Sequence, residues 1–162
     1  MKHSIITVKD MYAIGMKMSV NFQTMHIEMA KLARAFMPRR HEIINRIGTH
    51  AFSIQDYKQQ HFKAITPESL FDKWVAVEVT DLNTVPRGME SLTLKGGDYL
   101  VIDYKGTVAD FPKIWQFIFK EWLPSSGYVI DDRPHFEKLP ETYNPQSQIN
   151  EETVWIPVRK VS

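Results

Sequence analysis

Glutamates interrupt two of the strands that the sequence predicts, and a glutamate in such a position can do chemistry. Residues 135–139, HFEKL, lie between two prolines, which is typical of a short strand bounded by breakers. Successive side chains of a strand point to opposite faces. The alternation therefore places Glu137 on one face with His135 and Leu139, and it places Phe136 on the other.

A carboxylate that is removed from water has a raised pKa unless a cation or a hydrogen-bond donor compensates it. Such a group can select cationic ligands, and it can act as a general acid or base near neutral pH. The alternative for Glu137 is a surface ion pair with Lys138 or Arg133. Glu78 raises the same question within WVAVEV, where it is either a second buried carboxylate or the solvated end of the strand.

Other reactive groups are sparse. The chain has no cysteine, which excludes disulfides, thiolate zinc sites and a cysteine nucleophile. Its six histidines lack the spacing of metal ligands, so we expect neither a metal nor a cofactor. Gly96-Gly97 does not fit the phosphate-binding loops, and no nucleophile elbow surrounds Ser125-Ser126.

The overall charge argues against nucleic acid as a partner. The 162 residues carry a net charge of +1, whereas nucleic-acid-binding domains commonly have a pI above about 9. No apolar stretch approaches the ~18 residues of a membrane span, and the start lacks the apolar run of a signal peptide. We therefore predict a cytoplasmic protein that does not bind membranes; the oligomeric state stays open.

Hydrophobic periodicity predicts two helices among several strands. The helices are predicted at 24–37, with a possible extension to Gly48, and at 110–124, with Asp110 as the N-cap. Strands are predicted within 4–20, 51–57, 73–81, 91–106, 135–139 and 153–160. The intervening residues 58–70 have the composition of a loop.

Two stretches of the chain resemble each other. ITVKDMYAI at 6–14 and LTLKGGDYLVI at 92–102 align with one gap, and a helix and two strands follow each copy. This order predicts an α+β fold of two βαββ halves, about 1–85 and 86–162. A groove between such halves is a favoured position for a small-molecule site.

The sequence also resembles a known family. EWLP at 121–124, the aromatic-Glu pair Phe136-Glu137 and IPV at 156–158 resemble the closing half of the GyrI-like, or AraC-type effector-binding, domain. Residues 86–106 resemble the approach to that family's second helix, and YAIG at 12–15 resembles its first strand. The resemblance covers nearly the whole chain.

The resemblance implies a single domain of two SH2-like halves that form a curved antiparallel sheet with two helices. It implies a groove between the halves for small, lipophilic, aromatic or cationic molecules, as in multidrug-sensing regulators. The glutamate at the pocket floor of such relatives matches Glu137. Some relatives carry a helix-turn-helix module ahead of this domain; this chain resembles the stand-alone form, so we expect no direct nucleic-acid binding.

If Glu137 faces the groove, Leu139 does so too, and Phe136 packs behind them. Aromatic side chains would then form the walls, although core packing is the alternative for each of them. The candidate ligand-binding residues are Glu137, Leu139, Tyr12, Trp74, Glu78, Tyr104, Phe111, Trp115 and Trp155. Residues 58–70 would be in a position to cover the groove.

Three functions remain open at this point. The first is an effector-binding protein linked to transcription regulation or to drug sensing and sequestration. The second is a hydrolase of strained or electrophilic small molecules that uses Glu137 as its catalytic group, as in relatives that open cyclopropane-bearing compounds. The third is a protein-binding inhibitor, as in the gyrase-directed relative.

Overall fold

The computed structural model describes residues 1–58 and 60–161. In these residues, two helices pack on an antiparallel sheet of nine strands. The strands are β1 His3–Val8, β2 Met11–Val20, β3 Ala51–Asp56, β4 Phe71–Val79, β5 Glu90–Leu94, β6 Gly97–Gly106, β7 Tyr128–Ile130, β8 His135–Leu139 and β9 Asn150–Lys160. Helix α1 is Met25–Phe36, and helix α2 is the continuous run Lys113–Gln116, Phe117–Trp122 and Leu123–Ser126. The predicted α+β class is confirmed.

The strands follow the order β1-β6-β9-β8-β3-β4-β2-β5, and β7 pairs with β9 outside this path. The central pair is β3 with β8, and its register sets Ser53 opposite Glu137. On the other side of β8, Glu137 lies opposite Val154 of β9. β4, whose sequence FDKWVAVEV is rich in β-branched and aromatic residues, lies next to β3 and is buried along most of its length.

One row of paired residues shows which face of the sheet the helices cover. Val75, Ser53, Glu137 and Val154 lie opposite one another across four strands, so their side chains share a face. Val75 belongs to the apolar cluster under α1, and Val154 belongs to the cluster under α2. Both helices therefore lie on this face, the helix-bearing face, and Glu137 lies between the strands that they cover.

Each helix is held by an apolar stripe at helical spacing. Leu32 and Phe36 of α1 are buried four residues apart, as are Ile114 and Ile118 of α2. Glu28 in the first turn of α1 interacts favourably with the helix dipole. None of the helices in the described part of the chain has the length and apolar character needed to cross a lipid bilayer.

The opposite face of the sheet carries an aromatic core. Phe136 stacks between Phe52 and Trp155, with both pairs of ring centroids 5.3 Å apart. The β1–β2 and β5–β6 turns touch each other: Asp10 Oδ1 accepts a hydrogen bond of 2.8 Å from the Gly96 amide. A Cβ at Gly96 would lie 2.5 Å from a backbone oxygen, so only glycine permits this approach.

Three details differ from the sequence-based expectations. Asp110 is not the N-cap of α2, because the helix begins at Lys113 with Pro112 as its N-cap and without a side-chain cap. The predicted extension of α1 to Gly48 is wrong: the chain passes through a 3-10 turn, Met37–Glu42, and then becomes extended at Ile43. Beyond it, the Ile47 amide donates to the Glu78 carbonyl at 2.8 Å, so β4 captures backbone groups that a helix would have used internally. Strand β7 was not predicted, because its three residues carry no periodicity and depend on pairing with β9.

Candidate functional site

Glu137 occupies the middle of the helix-bearing face. Its neighbours across the sheet are Ser53 and Val154, and the residue as a whole is half-buried among mostly buried neighbours. His135 and Phe136, the residues before it on β8, are 4% and 1% exposed. The alternation predicted for HFEKL is observed, since Phe136 belongs to the core of the opposite face. Burial raises the pKa of Glu137, and the charge of Lys73 opposes that rise.

Lys73 is the cation whose charge acts on the Glu137 carboxylate. It is 2% exposed at the start of β4 and lies opposite Gln55 of β3. When the Gln55 amide is oriented to satisfy its neighbours, its oxygen accepts from Lys73 Nζ at 3.3 Å and its nitrogen donates to the His135 carbonyl at 3.3 Å. Burial lowers the pKa of Lys73, whereas the negative charges of Glu137 and Glu152 raise it.

Glu152 supplies a second carboxylate to the same face. It lies two residues before Val154 on β9, so both side chains point to the helix-bearing face. Its Oε1 atom is buried and has no hydrogen-bond partner among the residues that the structure describes. Burial, followed by the charge of Glu137, raises the pKa of Glu152 to about 8, and Lys73 opposes this shift.

Tyrosine hydroxyls complete the polar surroundings. Burial and the charge of Glu137 raise the pKa of Tyr57, which follows β3. Burial and the charges of Glu152 and Glu137 raise the pKa of Tyr143 to about 12. Both phenols are therefore neutral near neutral pH and can donate hydrogen bonds. We call Gln55, Lys73, Glu137 and Glu152, with these two tyrosines, the central polar cluster.

An aromatic stack adjoins the central polar cluster. Phe62, in the 3-10 turn Phe62–Ala64 of the β3–β4 connection, stacks on Trp115 of α2 and on His135, with centroid distances of 5.5 and 5.0 Å. The edge of Tyr57 meets His135 at 5.2 Å. Burial, then the charge of Arg133, lowers the pKa of His135 to about 3, so its ring is neutral within the stack.

Glu137 lines neither of two surface depressions in the described part of the chain. One of about 440 Å³ surrounds Arg133, which is already held by Asp131 and by backbone carbonyls. The other, of about 380 Å³, is lined by Tyr104, Lys138 and Glu152. Near Glu137, the rings of the aromatic stack occupy the space beside β8 and α2.

Comparison with known proteins adds to this geometry. A family model described as the GyrI-like small molecule binding domain matches residues 1–159. The chain belongs to this family. Among curated proteins, this GyrI-like chain is 34% identical over 103 residues to a DNA gyrase inhibitor from Erwinia billingiae; the match covers 60% of the chain and 64% of the inhibitor. The chain thus spans about 64% of the length of this relative.

Solved structures extend the comparison. The structure of SAV2435 bound to tetraphenylphosphonium aligns over 98% of this GyrI-like chain and 94% of that chain, with a TM-score of 0.72 and 12% identity. The C-terminal domain of EcmrR, a protein also solved in a complex with DNA, aligns over 99% and 98% of the two chains, with a TM-score of 0.65 and 13% identity. At these identities the likeness shows a shared fold.

Several of the predicted ligand-binding residues come together in the GyrI-like chain. Glu137 and Leu139 share the helix-bearing face, and Trp115 of α2 stacks above His135 of the same strand. Tyr104 lies opposite Glu152 on β6 and meets the edge of Phe111 at 5.4 Å. The Tyr104 hydroxyl donates to the carbonyl of Thr107, which fixes its ring beside the second carboxylate.

Other predicted residues lie apart from Glu137. Trp74 and Trp155 belong to the core of the opposite face, where they are 2% and 7% exposed. Glu78 follows Trp74 on that same face and interacts electrostatically with Lys138. Tyr12 is on the helix-bearing face but near the far edge, on β2, with β3 and β4 between it and β8.

The sequence reasoning overlooked part of the central polar cluster. Lys73 precedes Val75, Val77 and Val79 on one face of β4, and Glu152 precedes Val154, Ile156 and Val158 on one face of β9. A charged residue at the head of an apolar stripe is a detectable signal. Phe62, Tyr57 and Tyr143 come from connections between strands, and local periodicity does not predict what such residues contact.

Proposed function

We propose that this GyrI-like chain binds lipophilic, aromatic cations between its two helices, with Glu137 as the counter-charge. The observation that carries the proposal is the position of Glu137, a carboxylate on the central strand pair among buried neighbours. A carboxylate in such surroundings is stabilised by a cation that has little hydration of its own. Tetraphenylphosphonium, the ligand of a relative with the same fold, has this character.

We infer further that the chain is a single domain of two related halves, about 1–85 and 86–162, with the ligand groove between them. The strand order supports this interpretation. β2 lies between β4 and β5, and β6 lies between β9 and β1, so each half places its long strand in an equivalent position. Each half also contributes one helix and one strand of the central β3–β8 pair.

Aromatic side chains supply the area for such a ligand. Trp115 offers a ring face that Phe62 covers in the empty site, and a cation near an aromatic face gains about 0.5–2 kcal/mol. Leu139 and the Tyr104–Phe111 pair extend the surface toward Glu152. In this proposal Trp74, Trp155, Tyr12 and Glu78 do not contact the ligand. Their positions support roles in the core, at the sheet edge or beside Lys138.

The biological role we propose is the sensing or sequestration of lipophilic drugs or toxins, linked to transcription regulation. The family and the DNA complex of EcmrR support this role by analogy. The proposed ligand site depends on Glu137, so ligand binding does not require a regulatory role.

Titration with tetraphenylphosphonium tests the proposed function. We expect the wild type to bind it, and Glu137→Gln to bind at least about fivefold more weakly, a loss of roughly 1 kcal/mol. The matched control is Glu78→Gln, the same substitution in a strand of the same sheet but on the opposite face. Equal binding by all three proteins, or no binding by the wild type, contradicts the proposal.

A hydrolase is the second candidate, favoured by the pairing of Glu137 with Glu152. Burial raises the pKa of both carboxylates and their charges interact, so one can hold a proton while the other is ionised, as acid and base in one reaction require. Incubation with a cyclopropane-bearing electrophile tests this candidate. Product formation that depends on both Glu137 and Glu152 supports it, and a rate no greater than that of buffer excludes this chemistry.

Gyrase inhibition is the third candidate, and the observation that favours it is the 34% identity to an inhibitor over 103 residues. It requires a protein-binding surface and not an internal ligand site. Supercoiling by purified gyrase, measured with increasing amounts of the chain, tests this candidate. Inhibition that persists in Glu137→Gln supports it, and unchanged supercoiling contradicts it.

A further inference from the structure

We propose that the site exchanges a proton for its ligand: when a singly charged organic cation binds against Glu137, Glu152 releases one proton to solvent. This inference rests on the proposed function and adds to it the charge of the ligand and a dependence on pH. It follows from the composition and geometry of the central polar cluster.

The central polar cluster contains two carboxyl groups and one amine. With Lys73, Glu137 and Glu152 all ionised, their formal charges sum to −1, which is costly to keep away from water without a counter-ion. One proton on a carboxylate makes the empty cluster neutral. A bound monocation makes the fully ionised cluster neutral, so the proton and the cation replace each other. A dication would leave an excess of positive charge.

The geometry assigns the proton to Glu152. Its Oε1 is buried and has no partner in the part of the chain that the structure describes, so an ionised carboxylate there lacks compensation. The neighbouring Tyr104 hydroxyl is directed to the Thr107 carbonyl. At Glu137, the charge of Lys73 and the side chain of Gln55 both favour the ionised form, and the neighbouring His135 contacts the stacked rings. The pKa of about 8 for Glu152, raised first by burial and then by Glu137, agrees with this assignment.

The surrounding elements add no net formal charge near neutral pH. Lys105, Lys138, Asp103 and Glu151 line the depression beside Glu152, and their formal charges cancel. The other titratable groups around the two carboxylates are Tyr57, Tyr104, Tyr143 and His135. Burial raises the pKa of each tyrosine and lowers the pKa of the histidine, so all four are neutral. From the helices, Met29 of α1 lies 3.9 Å from Ser53 Oγ, and α2 contributes Trp115. The charge balance therefore involves three residues and the ligand.

Calorimetry with tetraphenylphosphonium tests the exchange. Binding near about pH 7 is measured in buffers of different ionisation enthalpy, which counts the protons released. We expect the wild type to release close to one proton and to bind more tightly as the pH rises, by up to about tenfold per unit below the pKa of Glu152. Glu152→Gln should release none, and at about pH 9 it should bind at least about tenfold more weakly than the wild type.

The matched control is Glu151→Gln, because Glu151 is the adjacent residue, exposed and paired with Lys105 at 3.3 Å. It should behave like the wild type. Wild-type binding without proton release, or equal release by Glu152→Gln, overturns the exchange and leaves the proposed function standing. Absence of tetraphenylphosphonium binding at every pH overturns the proposed function, and the exchange with it.

Discussion

Phe62 stacks on Trp115 with ring centroids 5.5 Å apart and ring planes inclined by 17°, which joins the β3–β4 connection to helix α2. The same phenyl ring stacks on His135 of the central strand pair. The β3–β4 connection thereby contacts both β8 and α2, which lie in residues 86–162. In the proposed binding mode, Phe62 leaves the stack when a ligand approaches Glu137 from this side.

The first prediction concerns this stack. We expect Phe62→Ala to increase the association rate of tetraphenylphosphonium at least about threefold, because the ring no longer competes with the ligand for the faces of Trp115 and His135. Loss of the stacked pair should also reduce the free energy of unfolding by about 1 kcal/mol. Stopped-flow tryptophan fluorescence measures the rate. The control is Phe119→Ala, which removes a ring stacked on Trp115 at 5.7 Å and on Phe62 at 6.3 Å but leaves the Phe62 ring itself in place. Equal rates for the wild type and Phe62→Ala contradict the gating role.

The second prediction separates the tryptophans. The chain has four of them, and only Trp115 belongs to the aromatic stack beside Glu137 in the described structure. We expect Trp115→Phe to remove most of the fluorescence change caused by tetraphenylphosphonium, because quenching requires proximity to the ligand. Trp155→Phe should retain the change, since Trp155 lies on the opposite face of the sheet. A fluorescence change that disappears in Trp155→Phe and persists in Trp115→Phe would place the ligand on the face opposite the helices and contradict this prediction.

The third prediction concerns His135, whose pKa of about 3 in the fold is below the ordinary value of 6.5. Protonation favours the unfolded chain, so the stability that this neutral histidine contributes is present above about pH 6.5 and is lost as the pH falls toward 3. We expect the wild type to lose about 2 kcal/mol more than His135→Phe between about pH 7 and 4.5 in urea titrations. His26→Gln, at an exposed position of α1, should retain the wild-type slope. Parallel pH profiles for the wild type and His135→Phe would show that His135 titrates normally.

The fourth prediction has the opposite sign and concerns Glu152. Its pKa in the fold, about 8, is above the ordinary 4.5, so its contribution to stability is present below about pH 4.5 and is lost as the pH rises through 8. We expect Glu152→Gln to gain at least about 1 kcal/mol in the free energy of unfolding relative to the wild type between about pH 5 and 9. Glu151→Gln, at the exposed neighbouring position, should show no such gain. A wild type and Glu152→Gln that differ by the same amount at every pH would contradict the raised pKa.

Alternation within single strands predicted much of this arrangement. It separated Glu137 from Phe136, and it separated Trp74 from Val75, as the structure does. It did not indicate which face the helices cover, because that depends on packing between distant segments. The indole rings of Trp74 and Trp155 were therefore proposed as walls of the site, although they lie in the core of the other face.

Other differences between the sequence-based expectations and the structure also arise from packing between distant segments. The pattern EIINRIG is compatible with a helix, but Asn45 and Ile47 exchange backbone hydrogen bonds with the end of β4, which overrides local propensity. Phe62 and Tyr143 lie in connections between strands, and the conformation of these connections depends on their tertiary contacts. Lys73 and Glu152 could be predicted from the sequence, because each is a charged residue that precedes a run of apolar residues on one face of its strand.

The most direct test of the central claim is a crystal structure of the protein with tetraphenylphosphonium. We predict that the phosphonium lies on the helix-bearing face, between α1 and α2, with the Glu137 carboxylate as the nearest anion and with Phe62 displaced from Trp115. A ligand bound on the opposite face, or in the depression around Arg133, would contradict the account of the site.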